Sequence, residues 1–96
     1  MKPLRISSQA STEFAEAVRW YEQKRVGLGG EFFDAVTHAI ELIRTRPDIG
    51  AATRRTRSWL LTLFPYRLVY RVRDEDIYIV AIAHTSRRPG YWQNRP

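Results

Sequence analysis

Cysteine is absent from this 96-residue chain. That excludes disulfides and thiolate metal sites, and it fits a reducing compartment. Lysine is nearly absent too: Lys2 and Lys24 are the only two, and none follows Lys24. No apolar run approaches the ~18 residues of a membrane-spanning helix. Residues 1–5 (MKPLR) lack the apolar stretch of a secretory signal. There is no internal repeat and no low-complexity tract. Length sets a further bound: residues 1–96 are expected to form one domain that buries roughly 60–65% of its unfolded surface. That allows a core but no large internal substrate cavity. The expected location is the cytoplasm.

What is present is charge of one sign in one half. Residues 1–49 carry seven basic and seven acidic groups. Residues 50–96 carry nine arginines (Arg54, Arg55, Arg57, Arg67, Arg71, Arg73, Arg87, Arg88 and Arg95) against Asp74, Glu75 and Asp76, so the whole net charge of +6 lies there. The three acids are consecutive and are expected to share one turn. What remains is an arginine-only surface with aromatics between the charges, which suits a polyanion or an acidic protein partner and speeds their encounter. Hydrophobic content of 44% with 27% charged is ordinary for a folded chain and argues against disorder.

The hydrophobic pattern changes period along the chain. Leu4-Arg5-Ile6-Ser7 alternates and reads as a short strand. Ser8 and Ser11 are candidate N-caps for an amphipathic helix whose stripe is Phe14, Ala17, Val18 and Tyr21. Lys24 and Arg25 suit its C-terminal dipole and Gly27 its stop. Gly29-Gly30 opens a second helix with Phe33, Val36, Ile40 and Ile43 on its stripe, ended by Pro47. Phe14, Val18, Tyr21, Phe33, Val36, Ile40 and Ile43 are the expected core. The short glycine-rich link makes the helices an antiparallel hairpin.

Neither stripe can be buried on the other alone, so a sheet is required, and the second half supplies it. Residues 53–63 hold β-formers. Residues 67–73 alternate, with Leu68, Tyr70 and Val72 on one face and Arg67, Val69, Arg71 and Arg73 on the other. Ile77 to Ala83 is a nearly unbroken apolar run, fitting a central strand. The expected fold class is α+β, β-α-α-β-β-β, with the helical hairpin on one face of a small, mainly antiparallel sheet and arginines on the other. Residues 84–96 read as an irregular basic tail.

Several blocks, in order, carry a family resemblance: Trp20-Tyr21-Glu22, Gly27-Leu28-Gly29 with Phe32, Pro47 and Gly50, residues 64–70 (FPYRLVY), residues 81–84 (AIAH) and residues 87–92 (RRPGYW). In this set the chain resembles the RelE/ParE superfamily of bacterial type II toxin–antitoxin systems, and lies closer to the ParE branch. The resemblance implies the fold just derived and no cofactor or metal. It also implies a cognate antitoxin in a hetero-oligomeric complex, a role in plasmid stabilization, and DNA gyrase as target. An acidic, partly apolar antitoxin tail would match the basic sheet face. Arg54, Arg55, Arg57, Arg67, Arg71, Arg87, Arg88, Tyr91 and Trp92 are the candidate contacts to antitoxin or target.

The alternative within the superfamily is metal-independent mRNA cleavage on the ribosome. On that pattern Arg67 and Arg87 (or Arg88) would contact phosphate, while His84 and Tyr91 would move protons. The absence of lysine after Lys24 weakens this alternative, because arginine stays protonated and cannot act as a base. Other readings stand beside these. On one, Arg54, Arg55 and Arg57 form only a charged edge that prevents sheet-to-sheet pairing. On another, Tyr91 and Trp92 pack the tail onto the sheet rather than stack on bases.

Overall fold

A computed structural model describes all 96 residues. The elements in chain order are β1 (Leu4–Ile6), α1 (Ser8–Lys24), α2 (Leu28–Thr45), a 3-10 turn (Pro47–Ile49), β2 (Ala51–Ala52), β3 (Arg57–Leu60), β4 (Tyr66–Val72) and β5 (Ile77–His84). The sheet runs β1-β5-β4-β3-β2; β1 is parallel to β5 and every other pairing is antiparallel. Both helices cover one face. This is the expected α+β arrangement, with one difference: the strand expected within 53–63 is β3 alone, and residues 51–52, just before it, add a short β2 that pairs with β3 across a turn closed from the Thr53 N–H to the Thr56 carbonyl.

Local chemistry explains the element ends. Ser7, rather than Ser8 or Ser11, caps α1: its hydroxyl oxygen accepts from the Ala10 N–H at 3.0 Å. The cap falls where β1 stops pairing with β5, and the Ser7 N–H and hydroxyl donate to the Ile79 and Val80 carbonyls. Gly27 has φ of 90°, a conformation that glycine adopts without strain, and it starts α2 rather than only stopping α1. The Glu22 carboxylate accepts from the Gly27 and Gly29 N–H groups, placing a negative charge at the start of α2. A Cβ on Gly29 would lie 2.6 Å from the Val18 carbonyl oxygen, so the helices cross at a point where only glycine fits.

The core lies between the helical hairpin and the sheet. Ala10, Ala17 and Tyr21 from α1, with Phe32, Val36, Ala39 and Ile43 from α2, meet Leu68, Tyr70, Ile77, Ile79 and Ile82. The expected core needs one correction. Phe33 is 48% exposed and stacks on Phe14, while its neighbour Phe32 is fully buried, 4.9 Å from the Tyr66 ring. Phe14, Val18 and Ile40 sit at the core's margin.

One irregularity decides which side chains face which way. Val69 pairs with Ala81 but Tyr70 with Ile79, so Val80 is an extra residue in β5. The bulge shifts the alternation: Ile77 and Ile79 face the helices, Val80 and Ala81 both face away, and Ile82 returns to the core. Beyond it, His84 lands on the helix side against Tyr66, with ring centres 5.0 Å apart. On the far face Val69, Val80 and Ala81 form a second small apolar cluster under Tyr78 and Trp92. Apolar side chains thus interrupt the arginines of the helix-free face. The tail crosses part of it.

Candidate functional site

The arginines of the second half divide by what their guanidinium groups touch. Arg73 bonds Asp76 within the β4–β5 turn, where Arg5 also approaches the same carboxylate. The hydrogen bond from Arg73 is the main reason that Asp76 titrates below the usual carboxylate range. Arg57 pairs with Tyr70, on the helix side, and donates to the carbonyls of Asp48 and Gly50. Arg57 therefore ties down the 3-10 turn rather than joining the basic surface. Arg71 donates to the backbone oxygens of Arg95 and Pro96. Arg87 lies over the Tyr91 ring at 3.9 Å. Arg54, Arg55, Arg67 and Arg88 make no hydrogen bond, ion pair or ring contact through their guanidinium groups.

Three of those four, with Arg71, line one groove of about 530 Å³ on the helix-free face. Arg67 and Arg71 stand on β4, Arg54 and Arg55 on the β2–β3 turn, and residues 89–93 of the tail form the opposite wall. Hydroxyls of Thr53, Thr56 and Ser58 add neutral hydrogen-bonding groups. Trp92 is the one aromatic residue of the lining, Pro89 adds a small apolar edge, and no carboxylate is among it.

The proton-transfer candidates are elsewhere. His84 lines a separate cavity of about 380 Å³ beside Glu13, Trp20, Tyr66 and Arg87. Its Nδ1 accepts from the Ser86 N–H at 3.0 Å. Arg67 pairs with Ala83, one residue before His84, so Arg67 and His84 occupy opposite faces of the sheet. Tyr91 is spent on structure. Its hydroxyl donates to Glu13 at 2.6 Å, and burial, then that hydrogen bond, push the phenol far above its ordinary pKa. His84 and Arg87 line the same cavity and Arg87 meets the Tyr91 ring, but Arg67 stands on the opposite face, so the four do not converge on one reacting centre.

Glu13 is the residue that sequence reasoning missed. Its carboxylate takes two bonds from Arg95, at 3.0 and 3.1 Å, one from Tyr91 and one from the Ile82 N–H at 3.0 Å. With side chains only 14% and 18% exposed, Glu13 and Arg95 clasp the tail to α1. No local signal marks this: both tail partners lie about 80 residues away in the chain.

A second groove, of about 650 Å³, has the opposite character. It runs between α2 and residues 59–64 and is lined by Leu28, Ala35, Leu42, Trp59, Leu63 and Phe64 among others, with Glu31 and Asp34 also in the lining. Leu63 is 83% exposed. Leu60, across from Arg67 on the other face, is 55% exposed.

The family model described as "ParE toxin of type II toxin-antitoxin system, parDE" matches residues 4–89. The chain belongs to this family. Among solved structures it is similar to a chain of the "Chromosomal ParDE TA system from P. aeruginosa", with a TM-score of 0.68 and 16% identity over 90% of this chain and 98% of that one. At that identity the likeness speaks for the fold. Among curated protein sequences nothing matches. For a ParE-family toxin the arrangement is consistent: β1 to β5 and both helices fall within the matched segment, while Tyr91, Trp92 and Arg95 lie beyond it. No helix is long and apolar enough to cross a membrane.

Proposed function

We propose that this toxin arrests growth in the cytoplasm by binding DNA gyrase, without catalysis, until a cognate antitoxin covers it. The observation that carries this reading over RNA cleavage is the separation of Arg67 from His84 across the sheet, with Tyr91 held as a neutral phenol. In-line attack on RNA needs a base, an acid and cations around a single phosphate. The basic groove offers the cations with no base beside them. The target contact is assigned to Arg54, Arg55 and Arg67, with Arg71 holding the tail wall and Arg88 next to that wall in sequence.

The antitoxin is assigned a different surface. A segment that orders on binding must bury apolar area to offset its lost entropy. The α2 groove has that area, while the basic groove has only Trp92 and Pro89. The partly apolar antitoxin segment is therefore placed along Leu28, Leu42, Trp59 and Leu63.

Folded toxin at micromolar concentration is expected to block supercoiling by purified gyrase while leaving transcripts intact in a translating extract. Unimpeded supercoiling, or cleaved transcripts, overturns the reading. In cells, Leu63→Glu is expected to keep toxicity and lose rescue by the antitoxin.

A further inference from the structure

We propose that the basic groove is a binding site for a single nucleic-acid strand, with phosphates on Arg54, Arg55 and Arg67 and one base stacked on Trp92. Four observations converge on this ligand. The first is where the carboxylates are. Every arginine that forms an ion pair does so outside the groove: Arg5 and Arg73 with Asp76, Arg25 with Glu31, Arg44 with Glu41, Arg95 with Glu13. No arginine of the groove pairs with a carboxylate, and Arg54, Arg55 and Arg67 are left to bind an outside anion. Guanidinium forks match phosphate oxygens in pairs.

The second is the supported ring. Trp92 packs on Val69, Val80 and Ala81 while also lining the groove. Its plane is held before any ligand arrives, so stacking a base on it costs little ordering. The third is the poverty of other apolar wall. An acidic peptide could satisfy the arginines, and its aliphatic side chains would find only Pro89 and the neighbouring Leu60, but it offers no flat π-face for Trp92. A nucleotide brings a charged backbone and a flat base, which is the composition of the lining. The fourth is that stacking requires an unpaired base; a duplex hides its base faces in the stack. Arg71 contributes by fixing the tail wall through the Arg95 and Pro96 backbone oxygens.

The test uses the full chain and a fluorescein-labelled 12-nucleotide oligothymidylate, read by anisotropy across a range of KCl. With three phosphate contacts, the logarithm of affinity should fall against the logarithm of salt with a slope of about −2, from roughly −0.7 per contact on a single strand. Arg67→Gln should shrink that slope by about 0.7 and lower affinity about tenfold. Trp92→Leu, which keeps an apolar cover over Val80, should lower affinity about tenfold with the slope unchanged. Circular dichroism melts establish that each variant is folded; Arg67→Gln removes no protein contact of its guanidinium and stands in if Trp92→Leu does not fold.

The proposal is overturned if the oligonucleotide does not bind at low salt, or if Arg67→Gln leaves affinity and slope unchanged. It is overturned in favour of an acidic polypeptide if polyglutamate of equal charge competes as well as unlabelled oligothymidylate. Tighter binding of a 12-base-pair duplex overturns the single-strand assignment. Gyrase takes no part in this experiment, so its outcome is independent of the supercoiling assay.

Discussion

Arg95 in the tail and Arg67 on β4 are the same residue type, and they do opposite work. Arg95 is nearly enclosed, grips Glu13 with both terminal nitrogens and touches the Val80 carbonyl. Arg67 stands in an open groove with no partner of its own and no carboxylate in the lining. The difference is where a carboxylate sits, and a guanidinium reads that placement as either an anchor or a receptor. Net charge cannot tell the two apart: both residues count equally toward +6.

The comparison can be broken most severely at the anchor. Glu13→Ala strands the Arg95 charge and leaves the Ile82 N–H without its acceptor. The expected loss is roughly 3 kcal/mol of stability, seen as a fall of more than about 10 °C in the melting midpoint for a domain of this size. A loss no greater than that of Arg67→Gln would erase the distinction.

Tyr91→Phe is a smaller cut at the same node, about 1.5 kcal/mol for a hydrogen bond to a charged group. It also carries a pH signature. The folded state holds the Tyr91 proton more tightly than the unfolded chain, because burial and the Glu13 bond raise its pKa. That contribution is complete below about pH 10, the ordinary tyrosine value, and is lost as pH rises above it. Melts of the parent protein should therefore fall more steeply above pH 10 than those of Tyr91→Phe.

Asp76 sharpens the comparison from the acid side. Its carboxyl titrates low, chiefly through the bond from Arg73, so its contribution is present above about pH 4 and vanishes as pH falls through the depressed folded value. Asp76→Asn should lose stability at neutral pH and show a shallower acid transition, measured by circular dichroism.

The smallest effect belongs to the receptor. Arg67→Gln and Arg55→Gln should leave stability within about 0.5 kcal/mol of the parent while weakening inhibition of supercoiling. A marked loss of stability would mean that these groups also anchor the fold.

The elements themselves were legible because burial leaves a period in the sequence. The α1 stripe, the alternation of 67–73 and the apolar run of 77–83 each name their structure. What stayed hidden is whatever depends on a partner distant in sequence. Phe32 and Phe33 both fit a helical stripe, and the position of the sheet decides which is buried. Ser7, Ser8 and Ser11 can all cap a helix, and the last pairing of β1 with β5 selects Ser7. The bulge at Val80 leaves no mark in an apolar run, yet it reverses the facing of everything after it, His84 included. Four candidate contacts, Arg57, Arg71, Arg87 and Tyr91, touch other groups of the fold, which are distant in sequence for Arg71 and Tyr91. The basic character of the groove was legible as charge; its membership, reduced to Arg54, Arg55 and Arg67 with Arg71 at the wall, was not.

The parallel pairing of β1 with β5 joins the start of the chain to residues 77–79. During synthesis, which adds about 5–20 residues per second, the opening strand has no neighbour until those residues leave the ribosome. The Glu13 clasp waits longer still, for Arg95. The helical hairpin is thus locked to the sheet only after residue 95 has been made.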